Sequence, residues 1–310
     1  MEVIRGHQNA PSWANGAAIA IGNFDGVHRG HQALVRRARE LADARGARAV
    51  ALTFDPHPSA LLSPHGGPSP ICSLDRRIEL LAEAGADAVV IEPFTRELAA
   101  LAPDAFVDQI LIEALRARAI VVGYDFSYGA GRAGTTDELR AHGSRAGVEV
   151  DVLPAVQIDG EAVSSTRVRA HLREGDVVGA ARLLGRRWDV DGVVVHGAKR
   201  GRAIGVPTAN IAPAIPLPLR AGIYAVTLGV ESGPPLPAVA SLGTNPTFVE
   251  GGGLVLEVHV LDFDGDLYDR RVRTAFAGHL RDEAKFDSVG ALIAQIRADI
   301  EAARLVLASP

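Results

Sequence analysis

The chain has 310 residues, 47% of them hydrophobic and 22% charged, with a formal net charge of −5. That length exceeds one ordinary core and points to about two domains, and the lack of a basic excess argues against a general nucleic-acid binder. The lone cysteine, Cys72, excludes an internal disulfide framework and reads as a structural residue of a reducing compartment. Met1–Trp13 holds no apolar stretch suited to a signal peptide, and no uncharged run approaches the ~20 residues that span a bilayer, so a cytoplasmic protein away from the membrane is expected.

From the N-terminus, Ala17–Ile21 reads as a buried strand. Leu34, Val35, Ala38, Leu41 and Ala42 then recur at helical spacing until Gly46. Ala49–Phe54, Ala88–Ile91 and Ala119–Val122 are further strands, with helices expected at Leu74–Ala84, Pro103–Leu115 and Thr136–Arg145. This alternation calls for a parallel α/β sheet, which places ligands at the carboxyl ends of its strands. Near Gly185 the pattern changes to short β runs, at Val190–His196, Ile223–Val230, Ala238–Leu242, Leu254–Leu261 and Arg271–Phe276. These suggest a small antiparallel barrel, closed by an amphipathic C-terminal helix over Val289–Leu307. Ala212–Pro218 and Gly233–Pro237 read as loops, and domains are expected at residues 1–185 and 186–310.

Gly22-Asn23-Phe24-Asp25-Gly26-Val27-His28-Arg29-Gly30-His31 follows the first buried strand and opens a helix. Its glycines allow a phosphate close to the backbone, the helix start favours an anion, and two imidazoles on one side can donate to phosphate oxygens. In Val163-Ser164-Ser165-Thr166-Arg167-Val168-Arg169 the hydroxyls suit a helix N-cap, and Arg167 and Arg169 could bond a triphosphate; alone, it reads as a capped helix with a basic face.

Together these stretches resemble the nucleotidyltransferase superfamily, whose HxGH and ISSTxxR elements grip one ATP. With Thr53-Phe54-Asp55-Pro56-His57-Pro58 and Val122–Gly129, followed by Arg132 and Gly134, the resemblance narrows to the prokaryotic bifunctional riboflavin kinase/FAD synthetase family. It implies a Rossmann-like nucleotidyltransferase domain that transfers the adenylyl group of ATP to FMN. By resemblance, His28, His31 and Arg169 are catalytic. Gly22, Phe24, Asp25, Gly30, Ser164, Ser165, Thr166 and Arg167 bind the nucleotide, and Pro56, His57, Pro58, Asp125, Phe126 and Tyr128 shape the flavin pocket. Without the family match, Pro56–Pro58 reads as a rigid turn, and Asp125-Phe126 as a capped loop with a core aromatic. Tyr128 stands where phenylalanine is commoner.

In the second half, Gly197-Ala198-Lys199-Arg200-Gly201-Arg202 is a basic glycine-bearing loop, and Gly205-Val206-Pro207-Thr208-Ala209-Asn210 follows. In an extended segment Thr208 and Asn210 share a face, and their oxygens suit Mg²⁺ carrying nucleotide phosphates; alone, they form an inert turn. Alternation puts Glu257 with Val255 and His259, opposite Leu254, Leu256, Val258 and Val260. These segments, with Ala240–Phe248, resemble the family's riboflavin kinase barrel. The resemblance implies that Thr208 and Asn210 hold Mg²⁺, that Glu257 activates the ribityl hydroxyl, and that Gly197, Arg200, Gly201 and Arg202 close over ATP. Val206 replaces a usual phenylalanine, and Ser241 and Asn245 replace commoner Asn and Arg. Riboflavin, FMN, FAD and ATP are the implied partners of a monomer or transient homo-oligomer. The competing readings are a member with one degenerate module and a flavin-binding sensor without turnover.

Overall fold

The computed structural model describes residues 1–64, 66–197, 205–231, 233–244 and 254–308. The chain packs as two compact units, Met1–Pro68 with Leu74–Ser164, and Ser69–Ser73 with Ser165–Pro310.

The first unit is built on six parallel strands, β1 (Glu2–Arg5), β2 (Ala17–Ile21), β3 (Arg48–Asp55), β4 (Ala88–Pro93), β5 (Ala117–Gly123) and β6 (Glu149–Leu153), in the spatial order β1-β4-β3-β2-β5-β6. Every residue of β2 is buried, as expected of a central parallel strand covered on both faces. Helix α1 (Arg29–Asp43) buries Leu34, Val35, Ala38, Leu41 and Ala42, the stripe read from the sequence. Helices α2 (Leu74–Glu83) and α3 (Thr136–Ala146) also lie where the periodicity put them. Thr135 and Glu138 form a capping box at the start of α3, and left-handed Gly147 ends it. The sheet changes winding direction between β2 and β5, so the loops after these two strands flank the crevice where such folds bind ligands.

Three features differ from expectation. Edge strand β1 buries only Ile4, too little for a periodic signal. Strand β6 is partly exposed along most of its length and alternates charged and apolar residues. The helix expected at Pro103–Leu115 is one α turn (Pro103–Ala105) running into a π-helix (Phe106–Ala114), a distinction that apolar periodicity does not carry.

In the second unit, helices α4 (Ser165–Glu174) and α5 (Val177–Leu184) precede the barrel, and Gly185 in the left-handed region ends α5. Strands β9 (Trp188–Val195), β10 (Ala209–Pro213), β11 (Gly222–Val230), β12 (Leu236–Thr244), β13 (Leu254–Val260) and β14 (Arg271–Arg281) close an antiparallel barrel in the order β10-β13-β12-β11-β14-β9; β7 (Gln157–Ile158) and β8 (Glu161–Ala162) form a small hairpin in the first unit. Leu256, Val258, Ala240, Leu242, Tyr224 and Phe276 fill the barrel interior. Strand β10 overlaps the loop expected at Ala212–Pro218. Its final residue is a proline, which the strand tolerates only because pairing ends there. Strand β12 likewise begins inside the expected Gly233–Pro237 loop. The segment Ser69–Ser73 is bound into this unit, with the buried Trp188 donating from Nε1 to the Ile71 carbonyl at 2.8 Å and Cys72 buried beside it. Helix α6 (Val289–Ala308) packs on β11, β12 and β14, with buried Asp299 taking the Arg281 guanidinium at 2.7–3.2 Å.

Candidate active sites

In the first unit, β2 delivers a turn that reverses sharply, with Phe24 and Val27 held at φ 50° and 41° beside Gly26 at 78°. Non-glycine residues avoid this region, and such strain collects where a loop is shaped for a ligand. Phe24, Asp25, Val27 and His28 are all buried. His28 caps α1, its Nδ1 accepting from the His31 backbone N–H at 3.3 Å. The two imidazoles stack with centroids 3.6 Å apart and planes 15° apart, and Phe24 meets His31 edge-on at 5.2 Å. Gly30 permits this pairing, since a Cβ there would lie 3.1–3.2 Å from the His28 ring. The Val163 carbonyl would lie 3.9 Å from the same Cβ, so the chain entering the serine-rich motif runs past the head of α1.

His31 Nδ1 is buried without a hydrogen-bond partner among the described residues. Burial, then the neighbouring His28 and Arg77 charges, push its pKa well below the ordinary imidazole value. His31 is therefore a neutral imidazole at pH 7, and an arriving polyphosphate would offset the repulsion from His28 and Arg77. Arg77, on α2, is buried and donates to the Phe54 carbonyl at 3.2 Å. It puts a cation at the carboxyl end of β3, and only its burial reveals it.

Asp55 ends β3, and Pro56, His57 and Pro58 follow it. His57 caps the short helix Pro58–Leu62, with Nδ1 2.7 Å from Ser59 Oγ. After β5, Tyr124 and Asp125 are exposed and Phe126 half-buried. Tyr128 is buried, stacked on Phe126 at 5.6 Å and tilted against Phe106 at 5.8 Å; burial raises its pKa to about 12. Tyr128 and Gly134 pair through both backbone hydrogen bonds, at 3.1 and 2.9 Å. A side chain at Gly134 would strike the tyrosine ring at 2.7 Å. Tyr128 thus supports the loop from beneath, and Phe126 carries its accessible aromatic surface. Gly22 lies against the Phe24 ring, 3.3 Å from where its Cβ would stand.

In the second unit, Ser165, Thr166 and Arg167 form the first turn of α4, with Ser164 just before it in the first unit. Arg169 is buried, and its Nε donates to the Ser69 carbonyl at 2.8 Å. On the barrel, register brings the expected kinase residues together. Asn210 of β10 stands opposite Glu257 of β13, which stands opposite Ser241 of β12. Thr208 Oγ1 lies 3.5 Å from Glu257 Oε2. Leu256 and Val258 point into the barrel, so Glu257 faces outward as alternation required. His259, on the same face, fixes the approach of the Gly205–Thr208 segment through Nδ1 and the Pro207 carbonyl at 2.8 Å. At Gly197 a Cβ would stand 2.2 Å from Asn210 Nδ2, so the absence of a side chain there leaves room for the Asn210 amide. Arg200, Gly201 and Arg202 lie outside the described residues.

Thr208, Asn210 and Glu257 offer hydroxyl, amide and carboxylate oxygens, a donor set that fits a hard divalent cation brought by a nucleotide. Among the described residues no group of three or more His, Cys, Asp or Glu side chains forms a cage for a metal. A cavity of about 400 Å³ lined by Asn15, Arg45, Arg118 and Glu149 opens at the amino-terminal rim of the sheet, the opposite rim from the His28–His31 turn. No helix among the described residues is long and apolar enough to cross a membrane.

Two family models match, FAD synthetase over residues 10–167 and riboflavin kinase over 184–307. The bifunctional riboflavin kinase/FMN adenylyltransferase of Pseudomonas fluorescens is 40% identical over 100% of this chain and 99% of its own. That of Escherichia coli K12 is 38% identical over 98% and 97%. Among solved structures, a macrolide-efflux protein from Streptococcus pneumoniae superposes with a TM-score of 0.89 at 32% identity, covering 98% of this chain and 99% of that one. With two matching domains in this order and relatives matched along their whole lengths, the chain belongs to the bifunctional riboflavin kinase/FMN adenylyltransferase family.

Proposed function

We propose that residues 1–185 adenylylate FMN to FAD and residues 186–310 phosphorylate riboflavin to FMN, both with ATP, so that the order of the modules reverses the order of the reactions. The observation that carries this reading is that one chain holds both a stacked His28–His31 pair at the winding switch of a parallel sheet and a Thr208–Asn210–Glu257 cluster on a barrel face.

In the first module an FMN phosphate oxygen attacks the α-phosphorus of ATP, and the bond to the β-phosphate breaks to release pyrophosphate. Phosphoryl chemistry needs positioning and charge neutralisation more than covalent help. The strained Gly22–His28 turn brings backbone N–H groups to the phosphates, with Phe24, Asp25 and Gly30 shaping its curve. His28 and His31 donate to the transferring and leaving phosphates, and His31 gains basicity as negative charge arrives. Ser164, Ser165, Thr166, Arg167 and Arg169 hold the triphosphate. Pro56, His57, Pro58, Asp125, Phe126 and Tyr128 form and support the flavin side.

In the second module Glu257 accepts the proton of the terminal ribityl hydroxyl as that oxygen attacks the γ-phosphorus, and ADP leaves. Thr208 and Asn210 would hold Mg²⁺, which supplies charge neutralisation on the phosphates when bound. Gly197, Arg200, Gly201 and Arg202 cover the nucleotide and keep water from it. The protein works in the cytoplasm, where both flavin and ATP are at hand.

Supplying FMN, ATP and Mg²⁺ tests the first assignment. The protein should release pyrophosphate with FAD, and His28→Ala should stop this while riboflavin phosphorylation continues. Undiminished FAD formation by His28→Ala would remove the histidine pair from the mechanism.

A further inference from the structure

The Gly123–Gly134 segment leaves β5, crosses the start of the π-helix and becomes α3. It is fastened along the way. Ala130 N–H donates to the Leu101 carbonyl at 2.8 Å. Gly129, at φ 70°, passes so close to Pro103 that a Cβ would lie 2.8 Å from its ring and backbone. Phe106, the first π-helical residue, supports Tyr128, which supports Phe126. Further along α3, His142 closes the circuit. Its Nδ1 lies 3.1 Å from Asp104 Oδ1 and its Nε2 2.7 Å from Asp108 Oδ1, both acids belonging to the helix that carries Phe106.

The wider winding of the π-helix lets Asp104 and Asp108 approach one imidazole from its two ends. His142 meets the two carboxylates with one ring nitrogen each. As a stabilising device this is poor. His142 is buried while Asp104 is 83% exposed and Asp108 50%, and exposed ion pairs contribute little. A leucine at this position would pack at no desolvation cost. What the arrangement supplies is a fixed register between α3 and the helix beneath the aromatic stack.

We propose that His142 is a positioning residue for the adenylyl acceptor: gripping Asp104 and Asp108, it holds the Gly123–Gly134 loop, and with it Phe126 and Asp125, in the conformation that receives the flavin. This rests on the assignment of that loop to the flavin side of the first module. His142 touches no substrate itself, so its effect falls on FMN affinity rather than on the phosphate chemistry.

The test uses the full chain, with riboflavin phosphorylation in the same preparation as the measure of intact folding. His142→Leu should raise the KM for FMN in FAD formation about tenfold and leave the KM for ATP within about twofold. His142→Gln, which keeps a donor for one acid, should fall between, and Asp104→Asn should also raise the KM for FMN. Amide hydrogen exchange gives a readout independent of turnover, since Ala130 and Gly134 N–H groups should lose protection in His142→Leu. An unchanged KM for FMN with undisturbed exchange at Ala130 overturns the proposal. So does an equal rise in the KM values for FMN and ATP, which would mark a general loosening. A wild-type protein that makes no FAD from FMN and ATP removes the reading beneath the proposal, and the proposal with it.

Discussion

Replacing Glu257 by glutamine separates the role of the carboxylate from its place in the structure. The side chain faces outward, half-buried, and its contact with Thr208 Oγ1 is at the long limit of a hydrogen bond at 3.5 Å. Glutamine keeps the volume and can still accept from Thr208, so stability should change by no more than about 0.5 kcal/mol, the range for surface substitutions. What it loses is the ability to take a proton. General-base catalysis contributes roughly 10²–10⁴-fold, about 2.7–5.5 kcal/mol of barrier, so kcat for FMN formation should fall by that factor. The KM for ATP should hold, because Thr208 and Asn210 are untouched. In a coupled ADP-release assay with riboflavin, the variant should be nearly silent, while supplied FMN is converted to FAD at the wild-type rate. Wild-type phosphorylation by Glu257→Gln would refute the base assignment. Loss of both activities with an unchanged Tm would refute the independence of the two modules.

Other perturbations follow from the geometry. Gly197→Ala would push a methyl to 2.2 Å from Asn210 Nδ2, so the Asn210 amide must move; riboflavin phosphorylation should weaken through a higher KM for ATP, with FAD formation from FMN intact. His31 has a pKa lowered by burial, His28 and Arg77, so its NMR resonances should not titrate until well below pH 6.5, and pyrophosphate should raise that midpoint. Because the folded pKa lies below the unfolded one, the unfolded chain binds the proton first. His31 therefore costs stability as pH falls below about 6.5, and His31→Gln should flatten that loss in acid-unfolding curves. Asp299→Ala would strand Arg281 beneath α6; with Arg281 partly exposed, a loss of about 2 kcal/mol is expected, seen as a Tm drop of roughly 4–8 °C by calorimetry.

Much of this was legible in the sequence because the decisive elements are dense in local signal. AAIAI followed by the glycine-rich turn and HRGH is a central strand, a strained loop and a helix start in one continuous stretch, and the structure builds each of them. The LEVHV alternation set Glu257 opposite Leu256 and Val258 before its cross-strand partners were known, and the burial of those two makes its face the outer one. Less legible were features set by distant residues. Strand β10 is a strand because β9 and β13 pair with it, and Pro213 at its end reads locally as loop. Arg77 looks like a solvated helix residue until the carboxyl end of β3 closes over it. Arg169 reads as a phosphate ligand, and nothing local announces that its Nε meets the Ser69 carbonyl a hundred residues earlier. The π-helix that sets Asp104 and Asp108 about His142 leaves no mark on apolar periodicity.

The central claim, two successive ATP-dependent steps on one flavin, is tested most directly by incubating the purified chain with riboflavin, ATP and Mg²⁺ and resolving the flavins by chromatography over time. FMN should accumulate first and FAD should follow at its expense, with one ADP and one pyrophosphate released for each FAD formed. A reaction in which riboflavin remains unphosphorylated, or in which FMN forms and never becomes FAD, would contradict it.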